Sequence, residues 1–150
     1  KVGKKDIILG FLSDGPHTNG FTLINHIFKD KSLDTHIVEQ LLKPHKSYLN
    51  LVNRFVRDHG YECLTAMAHI TGGGLIENIK RVVPDNLKIK INLDKIDMPE
   101  WCNYLMKNGN ISREEMFKVF NCGIGFVLIV NENNLNNLNL NNLIKLGYIY

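Results

Sequence analysis

Apolar and polar positions change their period several times along the chain, and each change marks a predicted element. Apolar runs from Asp6 to Leu12 and from Leu64 to Ile70 predict buried strands, and Asn121 to Val130 predicts another that begins with glycines. Between Leu87 and Leu93, apolar and polar residues alternate, which is typical of a half-exposed strand. Gly147 to Tyr150 predicts a short last strand.

Helical periodicity fills most of the remaining sequence. Apolar residues recur at three- and four-residue intervals over 21–29, 34–42, 45–59, 75–83 and 99–109. Thr18 or Asn19 is the predicted N-cap of the first helix, and Ser112 with Glu115 forms a capping-box pattern that begins one more. Strands and helices alternate irregularly, with too few strong strands for a doubly wound parallel sheet. The sequence therefore predicts a layered α+β fold, a mixed β-sheet flanked by helices.

The segment from Asn131 to Asn142 consists mostly of Asn and Leu. Leu135, Leu138 and Leu143 could line a helix there, although Asn is a poor helix former. We interpret this segment as a surface element that tolerates substitution and carries little chemistry.

Composition excludes several classes of protein. The 150 residues fit one domain, and a net charge of +3 with dispersed Lys and Arg does not indicate nucleic-acid binding. No apolar run approaches the roughly 20 residues of a membrane span. Cys63, Cys102 and Cys122 form no CxxC pair, which argues against a zinc site or a disulfide framework and favours a cytoplasmic location. The chain lacks an initiator Met, so we expect one domain of a longer polypeptide.

The most informative segment runs from His69 to Asn78, where a strand ends, three glycines follow and a helix begins. Such a junction exposes backbone N–H groups at the positive end of a helix dipole, which suits a phosphate. Three consecutive glycines favour close approach of a ligand over a plain tight turn. His69 lies at the end of the strand, and both a functional and a structural role are open for it. Asn78 could donate to a ligand or cap the loop internally.

A second junction of the same type runs from Ser13 to Gly20. Ser13, His17, Thr18 and Asn19 are potential hydrogen-bond donors between a strand and a helix, which fits a phosphate or ribose contact. The alternative is a capped turn whose polar side chains satisfy only local backbone groups. The segment is neither a P-loop nor a GxGxxG fingerprint.

Other candidate groups favour structural roles. Glycines in the stretch from Phe120 to Gly125 suggest close packing against another backbone, and Cys122 is expected to be a buried, inert thiol. Four further histidines are predicted at the surface or at helix ends: His26, His36, His45 and His59. No metal-ligand spacing links them, so the sequence predicts no metal site on this chain.

These segments, in this order, resemble the C-terminal domain of the aminoimidazole ribonucleotide synthetases, also called phosphoribosylformylglycinamidine cyclo-ligases. The matching segments are Ser13 to Leu23, Leu41-Leu42 with Pro44 and Tyr48, Ala68 to Asn78 with Val83-Pro84, and Glu115 to Gly125. Selenophosphate synthetase and thiamine-monophosphate kinase, which share the fold, typically carry an Asp- or Arg-containing loop in place of Ile70 to Gly74. The glycine loop therefore favours the cyclo-ligases.

The resemblance implies ATP-dependent ring closure of formylglycinamidine ribonucleotide to aminoimidazole ribonucleotide in purine biosynthesis. ATP would phosphorylate the amide oxygen, the amine would attack, and phosphate would leave. The implied cofactors are ATP and Mg²⁺, bound mainly by an N-terminal domain that this chain lacks and that also forms most of a homodimer interface. The implied partners are the nucleotide substrate and that domain, without nucleic acid or membrane. We expect the chain, residues 1–150, to be inactive alone.

The resemblance also implies roles for individual residues. His69 or His17 is the candidate catalytic proton shuttle. The candidate substrate- and phosphate-binding residues are Ser13, Gly15, Asn19, Gly20, Thr71, Gly72, Gly73, Gly74 and Asn78.

Two departures from the family pattern concern charge at this site. Asp14 stands where the family more often has Ser, and His45-Lys46 stand where Thr-Arg is commoner. A carboxylate here would repel a phosphate unless it points away or meets a cation. Two alternative functions stay open: another ATP-using member of the superfamily, of the selenophosphate synthetase or thiamine-monophosphate kinase type, or a silent domain that binds a nucleotide or a partner chain.

Overall fold

The computed structural model describes residues 1–133, 140 and 142–150. Its strands are β1 (Ile7–Leu12), β2 (Leu64–His69), β3 (Ile89–Ile91), β4 (Ile124–Val130) and β5 (Leu143–Ile149). Its α-helices are α1 (Phe21–Ile27), α2 (Thr35–Leu41), α3 (Leu49–His59), α4 (Gly74–Lys80), α5 (Glu100–Gly109) and α6 (Arg113–Val119). Leu135 and Leu138 of the helix considered there lie outside the described residues, whereas Leu143 belongs to β5 and not to a helix.

The five strands form one sheet in the order β2-β4-β1-β5-β3. The α+β class is confirmed, but the expected mixture of strand directions is not, because every described strand pair is antiparallel. β1 and β2 run in the same direction, yet β4 lies between them and pairs with both. Parallel strands are therefore never neighbours in the described sheet.

Helices cover both faces of this sheet. The larger core contains Ile8 and Val127 together with buried residues of α1, α2, α4, α5 and α6. The smaller core contains Leu9 and Leu128 with Phe55 of α3. Since successive strand residues point to opposite faces, burial on both sides explains why β1 and β4 are unbroken apolar runs.

Most predicted elements are confirmed, including the Ser112–Glu115 capping box that begins α6. The largest differences, of four residues, are at two boundaries. α3 begins at Leu49 rather than at His45, because Tyr48 turns into the smaller core and leaves the preceding residues irregular. The last strand begins at Leu143 rather than Gly147, since it pairs with both β1 and β3.

The N-cap of α1 also differs from the prediction. Gly20 caps the helix with φ of 77°, and neither Thr18 nor Asn19 does so. Both of those side chains are instead bonded to the carbonyl of His17. Within the described ranges, no helix combines the length and the hydropathy needed to cross a membrane.

Candidate functional site

The topology brings the two glycine-bearing junctions to one edge of the sheet. β1 and β2 lie on either side of β4 and both end where β4 begins, with Leu12 opposite Ile124 and His69 opposite Phe126. The loops after β1 and β2 are therefore neighbours. A methyl group on Gly72 would lie 3.4 Å from Oδ1 of Asn19.

Buried Asn121 fixes the first loop, 13–20, to the start of β4. Its Nδ2 donates to the carbonyl of Gly15 at 2.8 Å, and its Oδ1 accepts from the Gly123 N–H at 3.1 Å and the Ser13 hydroxyl at 3.3 Å. The Ser13 N–H also donates to the Gly123 carbonyl at 2.8 Å. This arrangement supports the structural interpretation of the Phe120–Gly125 motif.

The backbone at the tip of the first loop is strained. His17 and Thr18 have φ values of 54° and 60°, a left-handed region in which a β-branched residue such as Thr18 is a rare outlier. Thr18 Oγ1 and Asn19 Nδ2 donate to the His17 carbonyl at 2.6 and 2.7 Å and hold this conformation. The result is a His17 ring turned inward, with only 2% of the residue exposed.

The second loop, 70–73, is held from within by Asn78. Its Nδ2 donates to the carbonyls of Thr71, Gly72 and Gly74 at 3.2, 3.3 and 2.7 Å. Of the two roles considered for Asn78, these contacts fit the internal cap of the loop. Because these carbonyls turn toward Asn78, the N–H groups of Gly72 and Gly73 are left without an acceptor in the described part of the chain.

The glycine at position 74 has a packing role. Its φ is 68°, and a Cβ there would collide with the backbone of Phe117 in α6. Gly74 therefore allows α4 to approach α6 closely, which places the second loop beside the first.

Three histidines meet between the loops. The rings of His17 and His45 stack with centroids 4.0 Å apart, and the His69 centroid lies 6.0 Å from that of His17 and 4.9 Å from that of His45. The Nε2 atoms of His45 and His69 are 2.9 Å apart. One ring nitrogen from each residue falls within 4.8 Å of the others, which is close enough to share a metal ion.

His45 is the functional candidate that the sequence interpretation missed. It is exposed, as predicted, but it is neither isolated nor in a helix, because the irregular segment before Tyr48 carries it over His17. Its departure from the family pattern was the one signal in the sequence. No local spacing could reveal the contact, since His45 and His69 are 24 residues apart.

Tyr48 determines which nitrogen of His17 carries a proton. The hydroxyl donates to the Leu12 carbonyl at 3.2 Å, and His17 Nε2 lies 3.2 Å from the same oxygen. With its single proton used on Leu12, the hydroxyl oxygen accepts from Nε2–H of His17. Nδ1 of His17 then keeps a lone pair, and this buried atom has no hydrogen-bond partner among the described residues.

Burial keeps His17 and His69 neutral near pH 7. The pKa of His17 is lowered to about 4, first by burial and then by His45 and His69, against the opposing effect of Asp14 and the Ile70 backbone. The Ile70 group is near but does not satisfy the geometry of a hydrogen bond to Nδ1. The pKa of His69 is also lowered, by burial and then by His45. Both rings therefore present lone pairs rather than charges.

The extra carboxylate of Asp14 is paired with a cation. Lys46 Nζ lies 3.4 Å from Asp14 Oδ1, and both side chains are partly exposed. Lys46 thus offsets the charge of Asp14. Beside them, an open cavity of about 580 Å³ is lined by His45, His69 and the apolar side chains of Met67 and Phe126.

Comparison with known proteins supports the resemblance seen in the sequence. The family described as AIR synthase related protein, C-terminal domain, matches residues 3–142. The phosphoribosylformylglycinamidine cyclo-ligase of Xylella fastidiosa is 38% identical over 140 residues, 89% of this chain and 40% of that protein. The cyclo-ligase of Xanthomonas oryzae pv. oryzae is 41% identical over 137 residues, 86% of this chain and 40% of that protein.

Proposed function

The chain belongs to the AIR synthase related family as its C-terminal domain, and from that premise we propose that it serves in ATP-dependent closure of the imidazole ring of formylglycinamidine ribonucleotide. Its curated relatives carry the name of that ligase, and the chain spans 40% of their length. The activity is therefore proposed for a larger protein. An N-terminal domain would supply the remaining ATP ligands and most of a homodimer interface.

One observation carries this proposal. The two glycine-bearing loops and the two expected histidines, His17 and His69, meet at the edge of the sheet where β4 begins. The groups that we assign to phosphate binding and to proton transfer would then lie side by side. Ring closure with departure of phosphate needs both in one place.

We assign the proton transfer to His69. The attacking amine must lose a proton as the ring forms, and a neutral imidazole can accept it. His69 is exposed at the end of β2 and is neutral near pH 7 because its pKa is lowered. His17 is buried and its pKa of about 4 makes it a weak base, so it positions the neighbouring rings instead.

We assign phosphate binding chiefly to the backbone of the second loop. The N–H groups of Gly72 and Gly73 have no acceptor within the described residues, which fits a phosphate oxygen. Several side chains expected to bind phosphate already donate a hydrogen bond to another group of the chain: Ser13, Asn19, Thr71 and Asn78. Their role in the proposal is to shape the loops, as is that of Gly15 and Gly20.

The described residues do not fit a magnesium site. Mg²⁺ prefers oxygen ligands, whereas the three-histidine cluster offers nitrogen and Asp14 is already paired with Lys46. We therefore propose that the N-terminal domain binds Mg²⁺. The free, buried thiols of Cys63, Cys102 and Cys122 support the proposal of a cytoplasmic location.

The test is ATP-dependent ring closure of formylglycinamidine ribonucleotide, measured with this chain alone, with an N-terminal domain of the family alone, and with both. Turnover in the mixture only is the expected result. Turnover by the chain alone would contradict the division of labour between domains. The two pieces could also associate without closing the ring. If they then turn over a substrate of selenophosphate synthetase or thiamine-monophosphate kinase, the protein has that related activity instead. If they bind a nucleotide but turn over none of these substrates, the chain is a silent domain.

A further inference from the structure

Three imidazoles from three separate segments converge at the edge of the sheet. His17 comes from the loop after β1, His45 from the irregular segment before α3, and His69 from the end of β2. We propose that these three histidines bind a transition-metal ion, with Zn²⁺ as the expected ion, and leave one coordination position open. The site shares His17 and His69 with the proposed ring closure, so an ion bound there would occupy the proton acceptor, whereas the test of metal binding requires no nucleotide substrate.

The distances suit a metal after small movements. At the usual Zn–N length, tetrahedral geometry places ligand nitrogens about 3.3 Å apart. The Nε2 atoms of His45 and His69 are 2.9 Å apart, and all three candidate nitrogens lie within 4.8 Å. His45 is exposed and belongs to no helix or strand, so its ring can shift while β2 and the first loop stay fixed.

The contact between His45 and His69 places two potential ligand atoms side by side. Two Nε2 atoms at 2.9 Å share one proton, so one donates and the other accepts. For both Nε2 atoms to bind a metal, the donating ring would change tautomer, its proton moving to Nδ1, and each Nε2 would then offer a lone pair to the ion. Burial lowers the pKa of His69, which reduces competition from protons near neutral pH.

The second, independent observation is the unpartnered nitrogen of His17. Nδ1 is buried and no described group satisfies it, although a buried polar atom without a partner is costly. Tyr48 holds the opposite nitrogen, Nε2, at 3.2 Å. Metal-binding histidines usually have their second ring nitrogen held in this way, which fixes the ring and frees the other lone pair.

The chemistry of the donors selects the kind of ion. Imidazole suits Zn²⁺, Cu²⁺ and Ni²⁺, whereas Mg²⁺ and Ca²⁺ prefer oxygen ligands. No carboxylate belongs to the cluster that the described residues form, and the nearby Asp14 is paired with Lys46. Three histidines with one open position form a donor set known for zinc.

The experiment measures metal binding directly on the 150-residue chain after treatment with a chelator. Zn²⁺ is titrated by calorimetry, and Co²⁺ is titrated by its visible absorption, which becomes intense in tetrahedral sites. We expect one equivalent of each ion to bind, and an excess of Mg²⁺ to displace neither.

Two variants locate the site. His45→Thr places the family's commoner residue in the cluster and should weaken Zn²⁺ binding by roughly 100-fold or more, since loss of an outer-shell partner alone costs 10- to 100-fold. His36→Thr is the matched control, because His36 is an exposed histidine beside Glu100 and lies outside the cluster. It should bind as the parent chain does.

Equal Zn²⁺ affinity of the parent and the His45→Thr chain would overturn the proposal, as would an absence of stoichiometric binding. Stronger weakening by His36→Thr than by His45→Thr would place the ion on α2 and also refute it. Circular dichroism of each chain establishes that the variants are folded. Because no substrate is present, failure of this site leaves the proposed ring closure untouched.

Discussion

The Nε2 atoms of His45 and His69 lie 2.9 Å apart, although 24 residues separate the two histidines along the chain. His45 stacks on the buried ring of His17 at the same time, with ring planes 12° apart. His45, which departs from the family pattern, thus completes a cluster with His17 and His69, which follow it.

Replacement of His69 by Gln should remove the proposed proton acceptor from the assembled enzyme. We expect kcat for ring closure to fall by about 100- to 10,000-fold, the usual contribution of general acid–base catalysis. KM for ATP should change little, because the N–H groups of the second loop are not altered. The matched control is His26→Gln, which changes an exposed histidine of α1. An unchanged kcat in the His69 variant would remove His69 from the mechanism.

The low pKa of His17 should make the metal-free chain sensitive to acid. The ring of His17 is faced by His45, His69 and Asp14, and burial has the largest effect on its pKa. In the folded state His17 therefore binds a proton near pH 4 rather than 6.5. Stability is unaffected above pH 6.5 and is lost as the pH falls from 6.5 towards 4, because the unfolded chain binds the proton first. The cost at about pH 5 is about 2 kcal/mol.

The measurement is denaturant unfolding with a chelator present, at about pH 7.5 and about pH 5. Other groups also titrate over this range, so a variant is needed to isolate His17. His17→Asn is suitable, since Asn tolerates the left-handed φ of 54° and does not titrate. Its loss of stability between the two pH values should be smaller than that of the parent by about 2 kcal/mol. Identical losses would show that His17 titrates normally.

Gly125 should not accept a side chain. A Cβ at this position would collide with the Tyr48 hydroxyl and with Cε1 of the His17 ring. We expect Gly125→Ala to lower the free energy of unfolding by about 1–3 kcal/mol, as overpacking of a core does, and to weaken Zn²⁺ binding by displacing His17. Gly3→Ala is the control, because a Cβ there meets only Asp6 Oδ1 at 4.0 Å. Equal chemical-denaturation midpoints for the two variants would contradict the packing argument.

Asn121 should contribute to stability through the first loop. Asn121→Ala removes the bonds to the Gly15 carbonyl, the Gly123 N–H and the Ser13 hydroxyl. Since buried backbone groups then lose their partner, we expect a loss of about 2–4 kcal/mol in unfolding free energy. Asn25→Ala, on the exposed face of α1, should change it by less than about 0.5 kcal/mol. Thermal or denaturant unfolding compares the pair, and a small effect of Asn121→Ala would show that the loop is held by other contacts.

The sequence by itself determined the local elements and the family. β1, β2 and α6 follow from short-range rules, namely an apolar run bounded by turn residues and the Ser112–Glu115 capping box. These depend on neighbours within about four residues, which a single sequence displays. The glycine loop and the Asn121 motif carried the family resemblance for the same reason, and the model of that family covers residues 3–142.

Only the tertiary structure decided how those pieces meet. The insertion of β4 between β1 and β2 makes the sheet antiparallel and sets the two loops side by side. The fold also carries His45 onto His17. Such contacts join residues far apart in sequence, and their free energy depends on strand order and shared burial rather than on any local period. The two glycine-bearing junctions and the family resemblance therefore identified His17 and His69 as candidates, while the packing of the strands made them part of a three-histidine cluster.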